Sequence, residues 1–133
     1  MKPSIICGSV LILIIVGLGI GYLAVQIPPT TEELGNGTYM FSGTLSGDDD
    51  YRIHSLRVNS SAVSMHVALW CGSSDFDLYG ALGYTPSPNN YMWRGYAAGG
   101  EDLTLNNPSE GIWHIMVQSY SGAGKYVLTI EIT

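Results

Sequence analysis

Val63-Ser64-Met65-His66-Val67-Ala68-Leu69-Trp70 alternates between two kinds of side chain. In a strand Val63, Met65, Val67 and Leu69 point one way, and Ser64, His66, Ala68 and Trp70 the other. One face suits a core and the other a surface, the pattern of a half-buried strand. The same period of two recurs downstream. It sets Trp113, Ile115 and Val117 on one face of a late strand, and Tyr126, Leu128, Ile130 and Ile132 on one face of the last. Further strands are expected at Tyr39 to Leu45, Ile53 to Val58, Phe76 to Leu82, Tyr91 to Arg94 and Leu103 to Leu105. Turn residues separate them every eight to twelve positions, among them Asp48 to Asp50, Gly72 to Ser74, Pro86 to Asn90 and Asn106 to Gly111. From Gly37 onward no helical periodicity competes. The expected class is all-β, a sandwich of about eight strands.

The N-terminal end differs in kind. Ile5 to Ile27 is 23 residues without a charge, enough at about 1.5 Å per helical residue to cross a hydrocarbon layer of about 30 Å. The run is longer than the apolar region of a cleavable signal peptide, so residues 1–27 read as a transmembrane signal anchor in contact with the lipid bilayer. Lys2 is its one flanking charge and places the N-terminus inside and the C-terminal domain outside, extracellular or periplasmic. Gly17 and Gly21, four apart, would let two helices pack closely. Pro28 and Pro29 end the helix, and residues 28–37 read as a linker to a domain spanning 38–133.

All 11 acidic residues lie beyond residue 27, against four basic ones, a net charge of −7. Such a surface repels phosphate backbones, and nucleic acid is excluded as a partner. Cys7 and Cys71 are too far apart in kind to pair, one in the apolar run and one in the outer domain, so the fold must stand on its core.

Five motifs in order carry a family resemblance. Gly43-Thr-Leu-Ser-Gly-Asp-Asp-Asp-Tyr51, Asp75-Phe-Asp-Leu-Tyr79, Glu101-Asp-Leu-Thr-Leu105, Pro108-Ser-Glu-Gly-Ile-Trp113 and Gly124-Lys-Tyr-Val-Leu-Thr-Ile130 resemble the bacterial and archaeal pre-peptidase C-terminal domain. Here it stands alone behind the anchor. The resemblance implies a jelly-roll-like β-sandwich without catalytic residues of its own.

The residues themselves point away from catalysis. His54, His66 and His114 fall on separate strands, with no serine elbow, HExxH or glycine-rich phosphate loop near them. Each is read as an ordinary exposed histidine. Asp75 and Asp77 share a strand face with side chains about 7 Å apart. They can hold calcium if Asp48, Asp49, Asp50, Glu101 or Asp102 complete the six to eight oxygens the ion wants; the competing reading is that such acids cap turns. No other cofactor is expected. Tyr84, Tyr91, Trp93 and Tyr96 concentrate aromatic area around Pro86 and Pro88, with Tyr79 and Tyr120 near, and suit a protein or glycan partner. Asn36-Gly-Thr38 and Asn59-Ser-Ser61 are N-glycosylation sequons.

The expected function is a membrane-anchored, non-catalytic interaction module, an accessory subunit among other membrane or envelope proteins. A pilin-like filament subunit and a surface-displayed module for glycans or proteins are the alternatives.

Overall fold

The computed structural model describes residues 36–133 throughout and, ahead of them, only the backbone of β1 (Leu11–Gly17) and β2 (Ile20–Gln26). The chain divides into two compact units, Met1–Glu32 and Glu33–Thr133. In the first, β1 and β2 pair antiparallel from Leu11↔Gln26 to Gly17↔Ile20. The sequence reads a helix there. Ile12, Ile14, Ile15 and Val16 are β-branched and suit a pleated strand as well as a membrane span. The rest of the expected anchor over 5–27 lies outside the described residues, as do the side chains around the Gly17 and Gly21 pair. Among the described residues no helix is long and apolar enough to cross a membrane.

The second unit holds eight strands: β3 (Gly37–Leu45), β4 (Tyr51–Val58), β5 (Ser64–Trp70), β6 (Asp75–Leu82), β7 (Trp93–Gly95), β8 (Glu101–Asn106), β9 (Gly111–Ser121) and β10 (Gly124–Ile132). They form two antiparallel sheets, ordered β3-β10-β5-β8 and β4-β9-β6-β7. The chain passes from one sheet to the other at every connection except β6 to β7, which is the winding of a jelly roll.

Alternation decides the core. Met65, Val67 and Leu69 of β5 and Tyr126, Leu128, Ile130 and Ile132 of β10 face Leu56 and Val58 of β4, Phe76 and Leu78 of β6, and Trp113, Ile115 and Val117 of β9. Burying side chains of this size contributes about 1.5–3 kcal/mol each. Val63 departs from the expected pattern. It precedes β5 and is 60 % exposed, its backbone N–H donating to the carbonyl of Thr133 at the end of the chain. His54 also departs. It turns inward on β4, stacks on Phe41 with ring centroids 4.7 Å apart, and bonds the Tyr126 hydroxyl through Nε2 at 2.7 Å. Burial lowers its pKa. His66 lies on the outer face as expected and pairs with Asp102 at 2.7 Å.

The tight turn between β3 and β4 shows why the acids there are short-range devices. Asp49 takes a left-handed conformation (φ 66°), which Asp tolerates better than most residues. Asp50 accepts from the Ser46 N–H and hydroxyl and from Arg52, and these bonds hold its carboxyl down at about 2.

β6 breaks the one-face-in pattern. Phe76 through Ala81 are all buried, so both faces of this strand are covered. The inner face meets the core. What covers the outer face forms the site.

Candidate functional site

β7 is short because its work is done in three residues. It pairs with β6 as Leu78↔Gly95, Tyr79↔Arg94 and Gly80↔Trp93. Alternation sends Trp93 and Gly95 inward and Arg94 outward over Tyr79. Trp93 packs against the core, where Gly80 makes room for it: a Cβ there would fall inside the indole. Trp93 is therefore part of the scaffold and not of an exposed aromatic cluster. Tyr91 folds back over β6, its ring 5.4 Å from that of Tyr79. The Arg94 guanidinium lies 4.1 Å from the centre of the Tyr96 ring and 6.0 Å from that of Tyr91. A hydrogen bond with the Tyr91 side chain, ahead of every other cause, raises the Arg94 pKa. Tyr84 stands at the start of the same loop, partly exposed and away from these ring contacts.

Beside this stack a pocket of about 280 Å³ is lined by Asp75, Asp77, Arg94, Tyr96, Ala98 and Tyr120. A bulge shapes it. Asp75 pairs with Ser121 but Phe76 with Ser119, which leaves Tyr120 out of the ladder and 71 % exposed at the rim. Bulges commonly re-aim a side chain in this way. The structure thus brings Asp75 and Asp77 together as the alternation implies, and adds Arg94, Tyr96 and Tyr120.

The pocket's charges are unusual. Asp77 is buried, and burial first, then the neighbouring Asp75, raises its pKa. The Tyr79 hydroxyl donates to Asp77 Oδ2 at 3.5 Å, and burial in turn raises the Tyr79 pKa. Asp75 Oδ1 accepts from the Gly99 N–H at 2.9 Å. Behind the Gly95–Ala97 segment, Glu101 is buried with Oε1 lacking a partner, and burial, reinforced by Asp77 and Asp75, lifts its carboxyl to about 7.

A calcium shell is not assembled here. Among the described residues no three His, Cys, Asp or Glu side chains are placed to hold a metal. Three of the five acids expected to complete the shell are engaged elsewhere: Asp48 accepts from the Gly122 N–H, Asp50 serves the Ser46 turn, and Asp102 pairs with His66. Asn36 is exposed ahead of β3. Asn59 sits in the turn before β5, its Oδ1 accepting from the N–H and hydroxyl of Ser61.

The sequence singled out Tyr91, Tyr96 and the two acids but missed Arg94, whose role depends on pairing opposite Tyr79. One signal for covered outer faces was present. Asp75-Phe-Asp-Leu-Tyr-Gly-Ala-Leu82 carries Tyr79 and Ala81 in the phase that should face water.

No family model and no curated protein matches the chain. Solved structures do. The pre-peptidase C-terminal domain of a Bacillus anthracis collagenase is 19% identical with a TM-score of 0.54, covering 74% of this chain and 91% of its own. PliG of Aeromonas hydrophila, a periplasmic inhibitor of g-type lysozyme, is 16% identical with a TM-score of 0.54, over 74% and 88%. The Yersinia pseudotuberculosis-derived mitogen is 12% identical with a TM-score of 0.54, over 74% and 87%. The likeness is one of fold. The sandwich is built like a pre-peptidase C-terminal domain, in agreement with the motifs that suggested it.

Proposed function

We propose that this chain is a non-catalytic interaction module, tethered to a cell membrane through its apolar N-terminal segment and presenting the outer face of sheet β4-β9-β6-β7 to a protein partner. The carrying observation is the pocket rim. Tyr96 and Tyr120 are 67% and 71% exposed and line the pocket together with two carboxylates that form no salt bridge among the described residues. Exposed tyrosines around a polar depression are typical anchors of protein interfaces. That one fold neighbour is an inhibitor of lysozyme supports the use of this architecture for engaging proteins.

The polar side chains support a non-catalytic reading. Ser55 Oγ and His114 Nδ1 are 2.6 Å apart, but neither lines the pocket, and among the described residues no acid bonds the other ring nitrogen. Cys71 is buried, its thiol donating to the carbonyls of Ser74 and Gly99, and burial raises its pKa. Nucleophiles need the opposite setting.

A photo-reactive phenylalanine analogue placed at Tyr96 or Tyr120 in the full-length chain, in its native membrane, tests the reading. A discrete protein adduct from these positions and none from Thr104, on the other sheet, is expected. Equal labelling from Thr104, or no adduct, would overturn it.

A further inference from the structure

The pocket beside β6 holds two carboxylates, Asp75 and Asp77, against one cation, Arg94, which acts on Asp77 from a distance but forms no salt bridge with either acid. Asp77 is 7% exposed, and the one donor that reaches it stands 3.5 Å away, too long for a good hydrogen bond. Asp75 spends Oδ1 on the Gly99 N–H. No hydrogen bond from the described residues reaches the second oxygen of either. Arg94 lines the same pocket, yet its guanidinium rests on the Tyr96 ring, and the ion pairs among the described residues are Arg52 with Asp50 and His66 with Asp102. Burying an unpartnered carboxylate is costly, and folded proteins keep such groups where something outside the fold completes them.

The rest of the lining says what that is. Tyr96 and Tyr120 give the pocket π faces, which attract cations. A domain with nine acidic and four basic side chains over 38–133, net charge −5, draws positive partners toward it and repels anions. At about 280 Å³ the space lies just below the usual range of about 300–1,000 Å³ for small-molecule sites, and it admits one side-chain head group and not a folded segment.

We infer that this pocket takes a single cationic side chain, an arginine or lysine of the partner protein, with its charge on Asp77 and Asp75 and its flank against Tyr96 and Tyr120. The source of the side chain rests on the interaction reading above; the chemistry of the pocket does not.

The full-length chain, 15N-labelled in nonionic micelles, is titrated with N-acetyl-arginine amide, N-acetyl-lysine amide and the neutral isostere N-acetyl-citrulline amide. Both cations are expected to shift the amides of Tyr96, Ala98, Gly99 and Tyr120 saturably, while the citrulline compound leaves them in place. Asp77→Asn, which replaces a buried charge with a neutral group of the same shape and leaves the fold intact, weakens cation binding by about tenfold or more. Equal shifts from the citrulline compound, undiminished binding in Asp77→Asn, or no saturable shift from either cation overturns the inference. Adducts at Tyr96 and Tyr120 without cation binding would sink this inference and leave the interaction module standing. Cation binding without adducts would keep the pocket and remove the module.

Discussion

The indole of Trp93 occupies the place where a Cβ on Gly80 would have to be. The two residues are cross-strand partners on the inward face of β6 and β7, and this contact locks a three-residue strand onto the sheet. Everything in the pocket that belongs to β7 and the segment after it, Arg94 and Tyr96 above all, inherits its position from that contact.

Gly80→Ala therefore overpacks the core and pushes Trp93 off β6. Overpacking of this kind costs about 1–3 kcal/mol, which urea denaturation of the full-length chain will measure. Trp93 fluorescence should shift to longer wavelength as the indole meets water. An unchanged midpoint and spectrum would show that β7 is not held this way.

Glu101 makes stability depend on pH in a defined window. Its folded pKa of about 7 lies above the ordinary glutamate value of 4.5, so the folded state binds the proton more tightly than the unfolded chain. Its contribution is fully present below about 4.5 and is lost as pH rises through 7. Burial is the largest cause; a hydrogen bond from the Ala97 backbone opposes it in part, Asp77 and Asp75 add to it, and Arg94 opposes. Glu101→Gln is expected to melt higher than the parent at pH 8, with the advantage gone at pH 4.5. A variant that melts lower at both values would mean the carboxylate has a partner that offsets its burial.

Asp50 works in the opposite sense. Bonds from Ser46 and Arg52 depress its pKa from 3.8 to about 2, so its stabilising effect is present above 3.8 and is lost as pH falls toward 2. Asp50→Asn should lower the melting temperature at pH 7 and flatten the acid limb between pH 4 and 2. The turn is exposed, and the effect at neutral pH will be small and reduced by salt.

These cases show what could be read from the chain and what could not. Alternation together with the turn residues placed an expected strand on each of the eight, although the one at Tyr91 to Arg94 overlaps β7 only at Trp93 and Arg94. It erred where a neighbour changes the environment. Val63 is apolar and in phase, yet it lies just ahead of β5 and is 60 % exposed. Trp93 looks like an exposed anchor among tyrosines, but the missing side chain of Gly80, thirteen residues earlier, draws it inside. Asp75 and Asp77 follow from spacing; their lack of a salt bridge does not, because it depends on the Arg94 guanidinium lying on the Tyr96 face. Such choices are made across strands, where local pattern carries no information.

The state of Asp77 can be tested apart from any ligand. If the 3.5 Å contact with the Tyr79 hydroxyl were a working hydrogen bond to a buried charge, removing it would cost about 1.5–3 kcal/mol. A contact this long contributes little, so Tyr79→Phe, which keeps the ring against Tyr91, should lower stability by less than about 0.5 kcal/mol at pH 7. Asp77→Asn should then stabilise the chain at pH 8 and lose that advantage at low pH, because burial raises the folded pKa of the carboxyl and the folded state favours the neutral form. Denaturant midpoints of the two variants at both pH values decide the matter. A large loss in Tyr79→Phe would mean that Asp77 is completed from within, and the pocket would lose its reason to hold a cation.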